Sequence, residues 1–387
     1  MRIVAMVLVS LVPLAAGANP LAGKKRMSVS FLPHGSQLQD VMFPRYDPQR
    51  NLIGSLKAEK MTLVDDNRIA GENLRIEFYH DDETLRGGID LPKALIDQGK
   101  GVLRADGEIR MDSDRLTAQG RGLIYDYSTG EAFLDGPGIV VLKQQPQTSM
   151  RGNHRSFLRP VFTAGLLSVT AAIGAEKPAE VTKKGVAADL EASLAATHAV
   201  KTFIEAKGIT GGEGATFTPA EKPLEVKDVA GLSRITFDGG VYSDLDAGLI
   251  VFLKNVKVDD PRFELSGANE LKIFFTPKES GAKPGKTKGG GMPSFGGISG
   301  DIERIVASGA VRIVQRGAEN GKEPVQASGA VFTYHPKSGT ITLSGGYPWV
   351  MQGANYLRAR QPNLTLRIEK NGDFHTSGQW DIHGKTN

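Results

Sequence analysis

Two stretches of this chain, 209 positions apart, read as copies of each other, and a duplication on that scale restricts the fold more than any other feature. Ala118 to Gly136 runs AQGRGLIYDYSTGEAFLDG, and Ala327 to Gly345 runs ASGAVFTYHPKSGTITLSG. Without a gap, Ala118 aligns with Ala327, Gly120 with Gly329, Tyr125 with Tyr334, Gly130 with Gly339, Leu134 with Leu343 and Gly136 with Gly345. Upstream, Ala105 to Met111 parallels Ala307 to Ile313, the longer second copy absorbing its extra residues in the polar stretch from Arg316 to Glu323. Further upstream, the run from Val64 to Phe78 parallels that from Val258 to Phe275. The repeat predicts two homologous domains, and 387 residues leave room for two or three while excluding one small domain.

Within each copy the hydrophobic period is two. Ile341 and Leu343 alternate with Thr340 and Thr342, Val311 and Ile313 flank Arg312, Leu364, Leu366 and Ile368 flank Thr365 and Arg367, and Leu271, Ile273 and Phe275 alternate with Lys272 and Phe274. This is the signature of strands with one apolar face. The runs are bounded by turn residues: Ser128 to Gly130, Lys337 to Gly339, the pairs Asp65–Asp66 and Asp259–Asp260, and Asn371–Gly372. Such turns reverse a strand, so the sheets are expected to be antiparallel. The 47 Gly and 20 Pro agree with a turn-rich β protein rather than a helical bundle.

Charge and cysteine content exclude several classes. A net charge of +4 spread over the chain provides no polybasic field for nucleic acid. With no Cys there are no disulfides, thiolate metal sites, thiol nucleophiles or lipid-acceptor cysteines. Met1-Arg2, an apolar run from Ile3 to Ala16, and Ala16-Gly17-Ala18 read as a signal peptide, residues 1–18, cleaved before Asn19. The competing reading, a membrane anchor, is disfavoured because the run is short of the roughly 20 residues a span needs and contains Pro13. The expected location is therefore outside the cytoplasm.

Between the copies, expected at residues 36–143 and 225–371, lies a linker at 150–215, and 372–387 read as a tail. Arg151, Arg155 and Arg159 precede an apolar stretch from Val161 to Ala175 that resembles a second export signal, reads as an interdomain segment or surface-lying helix, and offers a membrane contact. Val186 to Lys207 is rich in Ala, Leu, Glu and Lys and closed by Gly208, which predicts a helix whose Leu190, Leu194 and Ala195 stripe docks on a domain. Glu279 to Gly300 holds eight glycines and three lysines and reads as a loop. Its Gly281 to Thr287 has three residues between the glycines where a phosphate loop needs four. The seven His are scattered, with no metal-ligand spacing, and no nucleophile elbow appears, so neither an enzyme nor a metal or other cofactor is expected. An exported hydrolase on a β scaffold, with His375 and His383 as its only candidates, is the weakest reading.

The repeated unit, a strand ending Ala-x-Gly-x-Val, then Tyr, a Ser/Thr-Gly turn and Leu-x-Gly, resembles the OstA-like periplasmic proteins of lipopolysaccharide export, the LptA and LptC family. The second copy carries it best, in Gly239 to Asp244, Asn255 to Asp259, Ile302 to Ile313, Ala327 to Gly345 and Gly353 to Leu357. The first copy is more diverged, with an LptC-like lead-in from Phe43 to Leu63. The tandem arrangement and the Gly/Lys-rich loop depart from single-domain members. The resemblance implies a mainly β fold of two tandem antiparallel, V-shaped β-jellyroll domains joined by a partly helical linker. It implies a groove for lipopolysaccharide or a related glycolipid, and edge strands that dock other β-jellyroll proteins. An acyl chain of about 12 carbons loses roughly 9 kcal/mol on exposure to water, so such a groove must be apolar. By alternation, Ile109, Met111, Leu123, Leu134, Val140 and Leu142 line the first groove, and Val311, Ile313, Val331, Ile341, Leu343, Trp349 and Met351 the second. Arg312, Arg358 and Arg360 are candidates for lipid phosphates at the rim. The alternative is an envelope interaction module whose β domains are filled.

Overall fold

The computed structural model describes residues 33–46, 50–80, 82–113, 116–126, 129–143, 181–209, 232–244, 247–261, 263–276, 302–316, 324–369 and 374–384. The expected signal peptide, the apolar stretch Val161 to Ala175, the Gly/Lys-rich loop and the Asn371–Gly372 turn lie outside these residues. Over these described residues the protein is mainly β: twenty strands in antiparallel pairs, with one helix between two strand regions.

The first region comprises β1 (Gln37–Tyr46), β2 (Leu52–Leu63), β3 (Arg68–Tyr79), β4 (Leu85–Asp97), β5 (Val102–Ser113), β6 (Leu116–Asp126), β7 (Glu131–Asp135) and β8 (Gly138–Leu142). Helix α1 (Val181–Lys207) follows. The second region comprises β9 (Ser233–Phe237), β10 (Gly240–Asp244), β11 (Leu249–Asp260), β12 (Phe263–Phe275), β13 (Ile302–Gln315), β14 (Val325–His335), β15 (Thr340–Ser344), β16 (Trp349–Gln352), β17 (Asn355–Ala359), β18 (Thr365–Ile368), β19 (Phe374–Thr376) and β20 (Trp380–His383). The stretch expected as a tail therefore carries the last two strands.

The two regions share one sheet. β6 pairs through its C-terminal half with β7 and through its N-terminal half with β8. β7 then pairs with β10, and β8 with β9, so the hydrogen-bond ladder runs unbroken across the helical linker. β10 and β9 pair with the two halves of β11, which restores long strands. The second region repeats the split, β14 pairing with β15 and β16, and these with β18 and β17. β19 and β20 end the sheet opposite β1.

The agreement between copies covers β5 to β8 against β13 to β16, where turn chemistry also coincides. Gly130 and Gly339 each take a left-handed φ and donate to the carbonyl four residues back, of Asp126 and His335. The upstream parallel between Val64 and Val258 does not belong to the same repeat. It equates the β2–β3 turn with the β11–β12 turn, yet two strands separate β3 from β6 and only one separates β12 from β14. Each stretch makes a hairpin, and in the first Asp65 closes the turn by accepting from the backbone N–H groups of Asn67 and Arg68.

A crease runs across the strands. In β1 to β4 the inward residues change parity partway along: Leu38 then Val41 and Phe43; Ala58 then Met61; Gly71 then Leu74; Leu91 then Ala94. Left-handed residues mark the same line, Asp40 in β1, Asn73 in β3, Gly107 in β5, Lys254 and Asn255 in β11, Gly267 in β12 and Gly309 in β13. In the seam strands the line becomes a break, Gly136–Pro137 between β7 and β8 and Asp238–Gly239 between β9 and β10. Bulges of this kind bend a sheet. Here they fold it so that both halves of each strand contribute to a single apolar cluster extending from Leu56 to Leu366.

Helix α1 begins five residues earlier than its composition predicts and ends in a Schellman motif at Gly208, with Ile209 N–H donating to the Ile204 carbonyl and Gly208 N–H to that of Glu205. The face that docks is Ala196, Val200 and Phe203, which pack on Phe133, Tyr242, Leu249 and Val251. The expected stripe points away: Leu190 is 49% and Leu194 62% exposed. The reason is polar. Ser193, Thr197 and Asp189 all have partners on the sheet and fix the rotation of the helix.

Candidate functional site

The interior between the two halves of the sheet is the candidate site. Ile109 and Met111 reach it from β5, Leu123 from β6, Leu134 from β7 and Val140 from β8, all buried in the common cluster, while Leu142 packs against its margin. Val311 and Ile313 from β13 and Ile341 and Leu343 from β15 join the same cluster. Ile109, Val311 and Leu343 are each 0% exposed. Ten of the thirteen expected lining residues are thus brought together, and both regions contribute to one apolar interior.

Val331, Trp349 and Met351 take the opposite parity. β14 shifts register between Ala327 and Phe332, so Phe332 and Tyr334 face inward where strict alternation expects Val331. The first copy does the same, with Ala118 followed by Leu123 and Tyr125. In β16 it is Val350 that enters the cluster, opposite Ala327, leaving Trp349 and Met351 half-buried on the outer face. Trp349 there stands 6.4 Å from the Tyr356 ring, which lies 6.3 Å from that of His383. Sequence reasoning also missed the seam residues Ile235, Phe237, Phe252 and Val256, which carry the interior from one region to the other. Their alternation was legible, but Ile235 and Phe237 sit on a strand of five residues, and none of the four has a counterpart inside the repeat.

The proposed rim arginines are on the outer face. Arg312 lies between the inward Val311 and Ile313 and donates to Gln326 Oε1 at 2.9 Å. Arg358 follows Leu357, whose side chain packs against the cluster, and Arg360 is paired with Asp381. Toward solvent the interior is bordered by half-buried apolar residues, among them Val41 and Phe43 at one end of the sheet and Leu357, Phe374 and Trp380 at the other.

Helix α1 lies on the opposite, outer surface, across the seam. Asp189 accepts from Arg304 at 2.8 Å and meets His335 Nε2 at 2.9 Å, which ties its N-terminal part to β13 and β14. The buried Lys272 on β12 reaches Ser193 Oγ at 2.8 Å and Glu270 at 2.5 Å. At the C-terminal end Lys207 pairs with Asp126 of β6, and Arg104 donates to the Lys207 carbonyl. Burial works to raise the Asp189 pKa, but the hydrogen bonds from His335 and Arg304 outweigh it and hold the carboxyl below its ordinary range. Burial, joined by the Glu131 carboxylate that accepts its hydroxyl, pushes the Tyr242 phenol up.

Among the described residues no group of three or more His, Cys, Asp or Glu is placed to hold a metal ion. Among them, too, no helix is long and apolar enough to cross a membrane.

No protein-family model matches this chain. Nor does any curated protein match it. Among solved structures, it is similar to LptH from Pseudomonas aeruginosa, described as the LptA-homologous periplasmic component of the lipopolysaccharide transport device. The match covers 40% of this chain and 95% of that one, at 16% identity and a TM-score of 0.28.

Proposed function

We propose that this protein is a non-catalytic carrier that shelters the acyl chains of lipopolysaccharide or a related glycolipid outside the cytoplasm, across both of its β regions. The observation that carries the reading is the continuity of the apolar interior through the seam, where Leu134, Val140, Ile235, Phe237 and Phe252 belong to one cluster. Moving hydrocarbon through water requires an unbroken apolar path, because each exposed CH₂ costs about 0.8 kcal/mol. The sides of β1 and of β19 and β20 that have no strand partner among the described residues offer backbone N–H and C=O groups to β-jellyroll partners by strand addition. The cargo class follows from the resemblance of the repeated unit to the lipopolysaccharide-export family. A lipid-extraction mass spectrum of the protein purified from an envelope fraction tests this: a bound glycolipid is expected, and an extract free of acylated species overturns it.

A second reading is favoured by one specific observation, the complete burial of Ile109, Val311 and Leu343. An interior already filled by its own side chains suits an envelope scaffold that binds only proteins. The carrier reading requires the two walls to part. Deuterium exchange at the amides of β5 and β15 that slows on adding a glycolipid supports the carrier; exchange that is indifferent to lipid supports the scaffold.

A further inference from the structure

Edge strand β1 sends Val41 and Phe43 against the apolar cluster, and the next residue on that face is Arg45. Its guanidinium is partly buried and sits within electrostatic reach of the phenol of Tyr125, a core residue only 2% exposed. Tyr125 lies near the end of β6 that pairs with the start of β5, whereas Arg45 lies in the row of Gly54, Phe78 and Gly87 at the other ends of the strands. The cation therefore stands between the facing walls. Opposite it on β2 is Gly54, which presents no side chain, so bare backbone borders the charge on that side.

Among the described residues no carboxylate lies within ion-pair distance of Arg45, although Arg68, Arg75, Arg110, Arg304, Arg316, Arg360 and Arg367 all have one. Burial alone pulls its pKa below the ordinary guanidinium value, the Tyr125 phenol opposing this only in part. A charge drawn partly out of water with no carboxylate beside it is a cost to the fold. Met or Leu would follow Phe43 without that cost, and an anion bound beside the guanidinium would offset it.

We infer that Arg45 is an anion site at the β1 mouth of the interior, and that it takes the phosphate of an amphiphile whose hydrocarbon lies against Val41 and Phe43. This deepens the carrier reading and rests on it. The planar fork of a guanidinium matches two phosphate oxygens at once, and such charge-assisted bonds strengthen where water is scarce.

The test titrates the full chain calorimetrically, below micelle concentration, with dodecyl phosphate, with dodecyl maltoside and with inorganic phosphate. The wild type is expected to bind dodecyl phosphate at least about tenfold more tightly than the maltoside, and inorganic phosphate far more weakly than either. Arg45→Met should erase the preference and leave maltoside affinity unchanged, Arg45→Lys should keep part of it, and Arg358→Ala should keep all of it. An Arg45→Met protein that still prefers the phosphate overturns the inference, as does inorganic phosphate binding as tightly as dodecyl phosphate. If maltoside binds and the wild type shows no preference, only the anion site fails; if neither amphiphile binds, the carrier reading fails with it. Thermal melting separates structure from binding, since a ligand-binding arginine predicts an Arg45→Met midpoint no lower than wild type, and a drop makes Arg45 structural.

Discussion

At Gly267 the backbone adopts φ +74, and a Cβ added there would lie 2.1 Å from the Ala310 carbonyl oxygen on the neighbouring strand. Gly309, on that neighbouring strand, lies on the same crease with φ +135. Gly267→Ala therefore combines left-handed strain with a backbone clash and should destabilise the protein by about 1–3 kcal/mol. Gly208→Ala, also at a positive φ but with open space around it, should cost only about 1 kcal/mol. Urea denaturation midpoints of the two variants check the difference, and equal losses would mean that the close approach at the crease is not real. The same crease limited what single residues revealed in the sequence. Ile109, Met111, Ile313 and Leu343 were legible as inward because no parity change separates them from the turns that set their register. Val331, Trp349 and Met351 were not, because each lies beside a bulge or break that inverts the alternation, and no apolar/polar pattern announces it.

Among the elements, α1 was legible from composition and its glycine stop, while the face it presents was not. Apolar content favoured Leu190 and Leu194, but the fold turns the helix so that Phe203 docks and Asp189, Ser193 and Thr197 find partners. Phe203→Ala should then cost about 3–5 kcal/mol, and Leu194→Ala less than about 0.5 kcal/mol. Thermal or chemical melts of the two variants check this, and a larger effect for Leu194 would reverse the assignment. The anchor at Asp189 makes an acid prediction. Because its folded pKa is lowered, its contribution is complete above the unfolded value of roughly 4 and is lost as pH falls through the lower folded value. Asp189→Asn should lower stability at neutral pH and remove that part of the acid-side decline in melting temperature. A variant whose pH profile parallels wild type throughout would show that the carboxylate contributes nothing to docking.

For the whole molecule, the duplication pointed to two β units, and the structure joins them through β7–β10 and β8–β9 into one sheet over one interior. Nothing in the repeat itself could disclose that joint, since the pairing strands β9 and β10 lie far along the chain from β7 and β8, beyond α1. Thr236 sits mid-seam, paired with both Ile139 and Lys257. Thr236→Pro removes a ladder hydrogen bond in a strand with neighbours on both sides and should cost about 3 kcal/mol or more. A continuous sheet predicts that this variant splits a single calorimetric transition into two; an unchanged, single transition would argue that the regions are not coupled through the seam. The central claim, that one apolar interior spanning the seam holds hydrocarbon, is tested most directly by photo-crosslinking amino acids placed in cells at Leu123 and, separately, at Leu343. Glycolipid adducts at both positions are expected, because a cargo that traverses the protein must pass both walls. Adducts at neither position, from a chain that is exported and folded, would contradict the claim.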